Sequence, residues 1–175
     1  MSANHTYALG FTALFFVTAM ASTASAMDAK FADAAWDGKT VPDGQQCQKF
    51  GGKNPGTPPF KITQIPSGAS EIIFEYSDRD YEPMDNGGHG IVAYKLGDKA
   101  TDVDVPSMPG HSFELSPPFT SVKAHQGPGW DKAGAYMPPC SGGKGNSYYV
   151  TIKAVGAKDG KKEVLAEKVI EMGKF

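Results

Sequence analysis

The stretch "EYSDRDYEPMDNGGHGIVAYKL", residues 75–96, decides how this chain is read. It begins inside an apolar run, "EIIFEY", and ends in a second one, "GIVAYKL". Ile, Val, Phe and Tyr in short runs favour strands, and the Asp, Asn, Gly and Pro between them favour a turn. The stretch therefore reads as strand–loop–strand. The loop carries Asp78 and Asp80, two apart, and His89 stands where the second strand opens. The ends of strands are where a β-scaffold concentrates polar sites. Aspartates in such a place serve equally well as turn residues that hydrogen-bond the nearby backbone.

The same alternation of apolar runs and turn clusters extends outward in both directions. "PPFKITQI" meets "PSGAS" upstream, and "KATDVDV" follows downstream. "SYYVTIKAV" is bounded by "SGGKGN" and "GAKDGK". In it Tyr148, Val150 and Ile152 fall on one face, and Tyr149, Thr151 and Lys153 on the other. "EIIFEY" is more continuously apolar, as expected of a strand covered on both faces. The closing segment "KEVLAEKVIEMGKF" fits a helical stripe (Val164, Leu165, Lys168, Val169, Met172) or a strand face (Val164, Ala166, Lys168, Ile170, Met172). The turn "KDGK" before it favours a hairpin, and we read a strand. "VPSMPGHSFELSPPFTSVKAHQGPGW" is too rich in Pro and Gly for much regular structure, and reads as a long loop that lines or covers a site. No internal repeat or linker divides the chain, so the expectation is one mostly-β domain.

The first 26 residues stand apart. "ALGFTALFFVTAMASTASA" is an apolar segment ending in small residues at Ala24-Ser25-Ala26, a cleavage pattern for export. Its leading "MSANHTY" lacks the usual Lys or Arg, and the alternative is a membrane anchor. The unbroken apolar run is short against the roughly 20 residues a span needs. Cleavage near Ala26 would leave Met27–Phe175 as a periplasmic or secreted domain. The formal net charge is −2, which gives no reason to expect nucleic acid or an anionic membrane as a partner.

Two cysteines, Cys47 and Cys140, are present. In an exported chain an even pair points to a disulfide before a metal site, with two buried thiols as the competing reading. His5 lies in the leader, and His89, His111 and His125 are scattered without spacing that would support a zinc site. His111 and His125 read as structural or surface residues. The chain has no G-x-S-x-G, H-E-x-x-H or P-loop motif.

The order of these segments resembles the bacterial, Raf-kinase-inhibitor-like branch of the phosphatidylethanolamine-binding protein family. The resemblance runs over about residues 31–155. An aromatic precedes "DG" in "AAWDGKTVPDGQQCQKFGGKNPGTPPF". A strand, a "P-x-G" turn and a second strand lead to "SDRDYEP" in the place of the family's "D-P-D-A-P". His89 opens the next strand, "AYMPPCSGGKG" fills the Pro-Pro loop, and "NSYYVTIKAV" fills the strand that begins "H-R-Y". Gly88 and Gly90 flank His89 where the family usually has Trp, Ser147 stands for the motif's His, and Tyr149 for its Tyr. The family's helix before the last strand has no room here.

The resemblance implies a phosphatidylethanolamine-binding-protein-like fold, with a large antiparallel sheet, a smaller packed sheet and few short helices. It implies a pocket for a small anion, phosphate or phospholipid head group, lined by Asp78, His89, Ser147 and Tyr149 near Pro138 and Pro139. Asp78 would hold the imidazole of His89 and favour its charged form. It also supports a Cys47–Cys140 bridge, the family's exported branch having Cys in both neighbourhoods. The expected function is binding without catalysis, with no cofactor or metal. The alternative is a protein-interaction module that inhibits a kinase or peptidase. Partners are then a small anionic ligand or head group, a protein, or a second copy in a homodimer.

Overall fold

The computed structural model describes residue 1, residues 26–127 and residues 129–175. The apolar leader lies, up to Ser25, outside the described residues. Among the described residues no helix is long and apolar enough to cross a membrane.

Among the described residues, eight strands form two antiparallel sheets. They are β1 (Asp28–Phe31), β2 (Phe60–Thr63), β3 (Ala69–Asp78), β4 (Gly90–Lys95), β5 (Asp102–Val105), β6 (Phe119–Lys123), β7 (Ser147–Lys158) and β8 (Lys161–Lys174). The small sheet has the order β1-β2-β5, and the large one β6-β4-β3-β7-β8. Among the described residues, two single turns of 3-10 helix, Gln48–Phe50 and Glu82–Met84, interrupt the loops.

Alternation along the strands builds the core between the sheets. Phe60 and Ile62 of β2 face Ile72 and Phe74 of β3 and Val150, Ile152 and Ala154 of β7, all at 0% exposure. Complete burial of one such Phe or Ile contributes about 1.5–3 kcal/mol. Phe31, Phe60, Phe74, Tyr76 and Tyr136 form a continuous run of ring contacts with centroids 4.6–6.3 Å apart. That run leads from the small sheet to the loop end of β3.

The outer face of the large sheet differs from expectation. "EIIFEY" is not covered on both sides by apolar layers. Its second face has only a small cluster, Ile73 with Ala93, Val155 and Ile91. Around it Glu75 pairs with Lys153 at 2.8 Å and Glu71 with Lys162 at 2.5 Å. The alkyl stems of long charged side chains do the covering here.

The closing segment is a strand. β7 and β8 pair through Lys158 and Lys161, joined by Asp159 and Gly160, both at positive φ. Asp-Gly suits such a turn because its twist matches that of the strands. Residues 156–163 thus belong to this hairpin rather than to a helix. The Pro- and Gly-rich stretch also holds one strand the sequence did not suggest. β6 pairs with β4, Tyr94 opposite Phe119, the two rings meeting edge-on at 5.1 Å.

Candidate functional site

The end of β3 fixes the site. Asp78 lies opposite Tyr148 in the β3–β7 ladder, and the loop that follows returns to β7 at once. The Arg79 N–H donates to the Ser147 carbonyl at 2.9 Å, and the Ser147 N–H donates to Asp80 Oδ2 at 2.6 Å. Asp78 Oδ1 accepts the Asp80 N–H at 2.9 Å, an Asx turn, as the plain reading of these aspartates expected. Its Oδ2 is engaged further away and accepts the Asn146 side-chain amide at 2.7 Å. Asp78 is 4% exposed, and burial raises its carboxyl above the usual range against the hydrogen bonds that lower it.

His89 enters from the start of β4. Its N–H donates to the Tyr76 carbonyl at 3.0 Å, and its carbonyl accepts the Met137 N–H at 2.9 Å. Gly90, at φ +119°, makes this approach possible, since a Cβ there would stand 2.0 Å from the Ala135 carbonyl oxygen. A Cβ at Gly88 would likewise stand 2.3 Å from Met84 Cα. The glycines flanking His89 thus let three backbone segments close on it.

The imidazole is not held by Asp78. Its Nδ1–H donates to the Met137 carbonyl at 2.7 Å, and its ring packs edge-on against Tyr148 at 5.3 Å. Burial lowers its pKa from 6.5 to about 4, outweighing the Met137 hydrogen bond. The sequence reading expected a charged form favoured by a carboxylate. The structure has a neutral ring in an apolar setting, with a carbonyl as its partner.

Of the residues named from sequence, Asp78 and His89 are brought together around Tyr148. Pro138 and Pro139 are buried beside them in the segment that carries Met137. Pro139 accepts the Cys47 N–H at 2.9 Å. Ser147 contributes its backbone to the Asp80 hook. Tyr149 is elsewhere: its hydroxyl meets Asp85 on the opposite face, and the Arg79 guanidinium lies 4.1 Å over its ring. On the Asp78 side, Tyr148 packs against His89 and the Asn146 amide reaches Asp78. Neighbouring residues on a strand face opposite sides, so Tyr148 shares the Asp78 side and Tyr149 does not. The Tyr148 hydroxyl accepts the Cys140 N–H at 3.0 Å, and burial raises its pKa to about 12.

Next to this group a cleft of about 340 Å³ opens to solvent. Asp78 and Asn146 form part of its lining, and Lys49 and Lys144 contribute the two lysines. Phe50, Tyr81 and Trp130 line its mouth, and each stays 39–40% exposed. Tyr81 and Trp130 are in ring contact at 5.1 Å. None of these five side chains was named from sequence. Trp130 sits in the stretch expected to line or cover a site, but lysines and aromatics in loops carry no pattern that marks them.

The Cys47–Cys140 disulfide is formed and ties the Gln48–Phe50 turn to the Pro-Pro segment. It leaves no free cysteine in the chain.

The sequence matches no protein-family profile and no curated protein. Among solved structures the chain is similar to one from Chlamydia trachomatis described as a phosphatidylethanolamine-binding protein homolog. The TM-score is 0.50 at 18% identity, covering 86% of this chain and 97% of that one. With its five-stranded and three-stranded antiparallel sheets, the chain has a phosphatidylethanolamine-binding-protein-like fold.

Proposed function

We propose that this is an exported, non-enzymatic protein that binds a small anionic ligand, a phosphate or phospholipid head group, in the Asp78–Trp130 cleft. The observation that carries the reading is the composition of that cleft. Lys49 and Lys144 supply positive charge beside three half-exposed aromatic rings and a polar floor of buried Asp78 and half-buried Asn146. A phosphate group suits the lysines. An amine or hydroxyl on the same ligand suits the floor, and any apolar remainder suits the rings. Export is supported by the disulfide, which persists in oxidising compartments.

His89 has a positioning role in this account. Neutral and 2% exposed, it braces Tyr148 and the Met137 carbonyl rather than meeting the ligand as a cation.

Trp130 provides the test, because the other tryptophan, Trp36, is buried at 5% exposure in the core between the sheets. Titration with phosphoethanolamine should change the intrinsic fluorescence in a saturable way, and Trp130→Phe should remove the change. A flat titration of the unaltered protein would overturn the reading.

A second reading rests on the outer face of the large sheet. Val122, Val164 and Val169 are 47–56% exposed there. An aliphatic shelf of this kind, fringed by Glu71, Glu75, Lys153 and Lys162, suits a protein partner such as a kinase or peptidase. The aromatic mouth of the cleft favours the first reading.

A further inference from the structure

The loops behind the cleft gather four side chains that can ligate a metal. The donor atoms of Cys47, Cys140 and Asp131 all lie within 4.8 Å of one another. His111 Nε2 stands 3.3 Å from Asp131 Oδ2. The His111 and Asp131 side chains are 2% and 8% exposed, and Cys47 is 0% exposed.

His111 reaches this group through Asp131, beside which its Nε2 lies. His111 Nδ1–H donates to the Lys132 carbonyl at 3.3 Å, and its Nε2 accepts the Gln48 N–H at 3.3 Å, which places the lone pair on Nε2. That lone pair is turned to a carboxylate oxygen, another acceptor. Among the described residues, the contacts that reach the two atoms are long backbone ones, the Gln48 N–H to Nε2 at 3.3 Å and the Lys49 N–H to Asp131 Oδ2 at 3.4 Å. Two buried acceptors facing each other beside two sulfurs are stabilised by a cation between them. A disulfide gives the carboxylate nothing in return, whereas two thiolates complete a ligand set.

We propose that Cys47, Cys140, Asp131 and His111 form a zinc-type divalent metal site that exists only when the Cys47–Cys140 disulfide is reduced. Two thiolates, one imidazole and one carboxylate form a set suited to tetrahedral Zn²⁺. Opening the site needs a dithiol reductant. Its two thiols pass two electrons and two protons to the protein disulfide, giving two protein thiols and the oxidised dithiol. Metal binding then releases the two thiol protons to solvent, with Asp131 entering as carboxylate and His111 as neutral imidazole. In reoxidation a disulfide oxidant accepts the two electrons and leaves with two protons as its dithiol, which rebuilds the protein sulfur–sulfur bond and expels the ion. The disulfide thus switches between a covalent staple and a metal staple at one place in the fold.

The test is a Co²⁺ titration of the full chain, reduced with a phosphine and compared with the oxidised chain, followed by displacement with Zn²⁺. The reduced chain should take one ion with thiolate-to-cobalt charge-transfer bands, and the oxidised chain none. His111→Gln and Asp131→Asn, which keep side-chain size, should each weaken binding at least about tenfold. Zn²⁺ should also raise the melting temperature of the reduced chain. The proposal is overturned if the reduced chain binds no more metal than a Cys47→Ser/Cys140→Ser variant. It is equally overturned if either single variant binds as tightly as the unaltered chain, or if Zn²⁺ leaves the melting temperature of the reduced chain unchanged.

Discussion

His89 gives its Nδ1–H to the Met137 carbonyl at 2.7 Å, and this bond takes the place of the expected one to Asp78. It joins the first residue before β4 to the Pro-Pro segment and so holds the wall behind Tyr148. It also decides the ring's protonation, because a carbonyl stabilises an imidazolium far less than a carboxylate would.

Acid stability should report that neutral ring. Folded His89 titrates at about 4, against 6.5 for the unburied group. Between these values the unfolded chain takes up a proton that the folded chain refuses. The contribution is fully present above about pH 6.5 and declines by roughly 3 kcal/mol as the pH falls toward 4. His125, also lowered by burial, acts in the same sense, while Asp78, raised by burial, acts in the opposite one. Urea unfolding at about pH 7 and about pH 4.5 should therefore show a larger loss for the unaltered chain than for His89→Gln. Equal losses in the two proteins would show that His89 is charged when folded.

The disulfide should be a main support of the fold. It closes a separation of 93 residues, for which chain entropy suggests a contribution of about 4–5 kcal/mol. The unreduced protein should show no alkylatable thiol after denaturation, and metal-free reduction should lower its melting temperature markedly. Two reactive thiols in the unreduced protein would refute the bridge.

The two neighbouring tyrosines should separate cleanly. Tyr148→Phe removes the acceptor of the Cys140 N–H, costing about 1 kcal/mol of stability and weakening ligand binding through the cleft wall. Tyr149→Phe breaks the contact with Asp85 on the other face and should leave ligand affinity unchanged. Paired binding and unfolding measurements check this, and the reverse pattern would restore the assignment made from sequence.

The strands were legible because their signal is local. "YYVTIKAV" and "KITQI" alternate, and "KDGK" marks a hairpin turn within a few residues. The Asp78 loop and the Cys47–Cys140 pair were legible from the order of segments. β6 was missed because its pairing with β4 outweighs the Pro and Gly around it. Tyr148 was not named because adjacent tyrosines look alike in sequence, yet on a strand they point to opposite faces. Lys49, Trp130 and Lys144 share no pattern, and only the folding of three distant loops makes them neighbours. The same holds for His111 and Asp131 beside the disulfide, where spacing rules that find local metal motifs have nothing to act on.

Calorimetric titration with phosphoethanolamine tests the central claim most directly. The unaltered protein should bind one equivalent, and Lys49→Ala/Lys144→Ala should bind at least about tenfold more weakly, a loss of 1.4 kcal/mol or more. Because His89 stays neutral, affinity should not tighten on acidification; it should weaken below about pH 6, where the ligand's phosphate loses its second charge. Absence of binding, or equal affinity in the lysine-free variant, would contradict the assignment of this cleft.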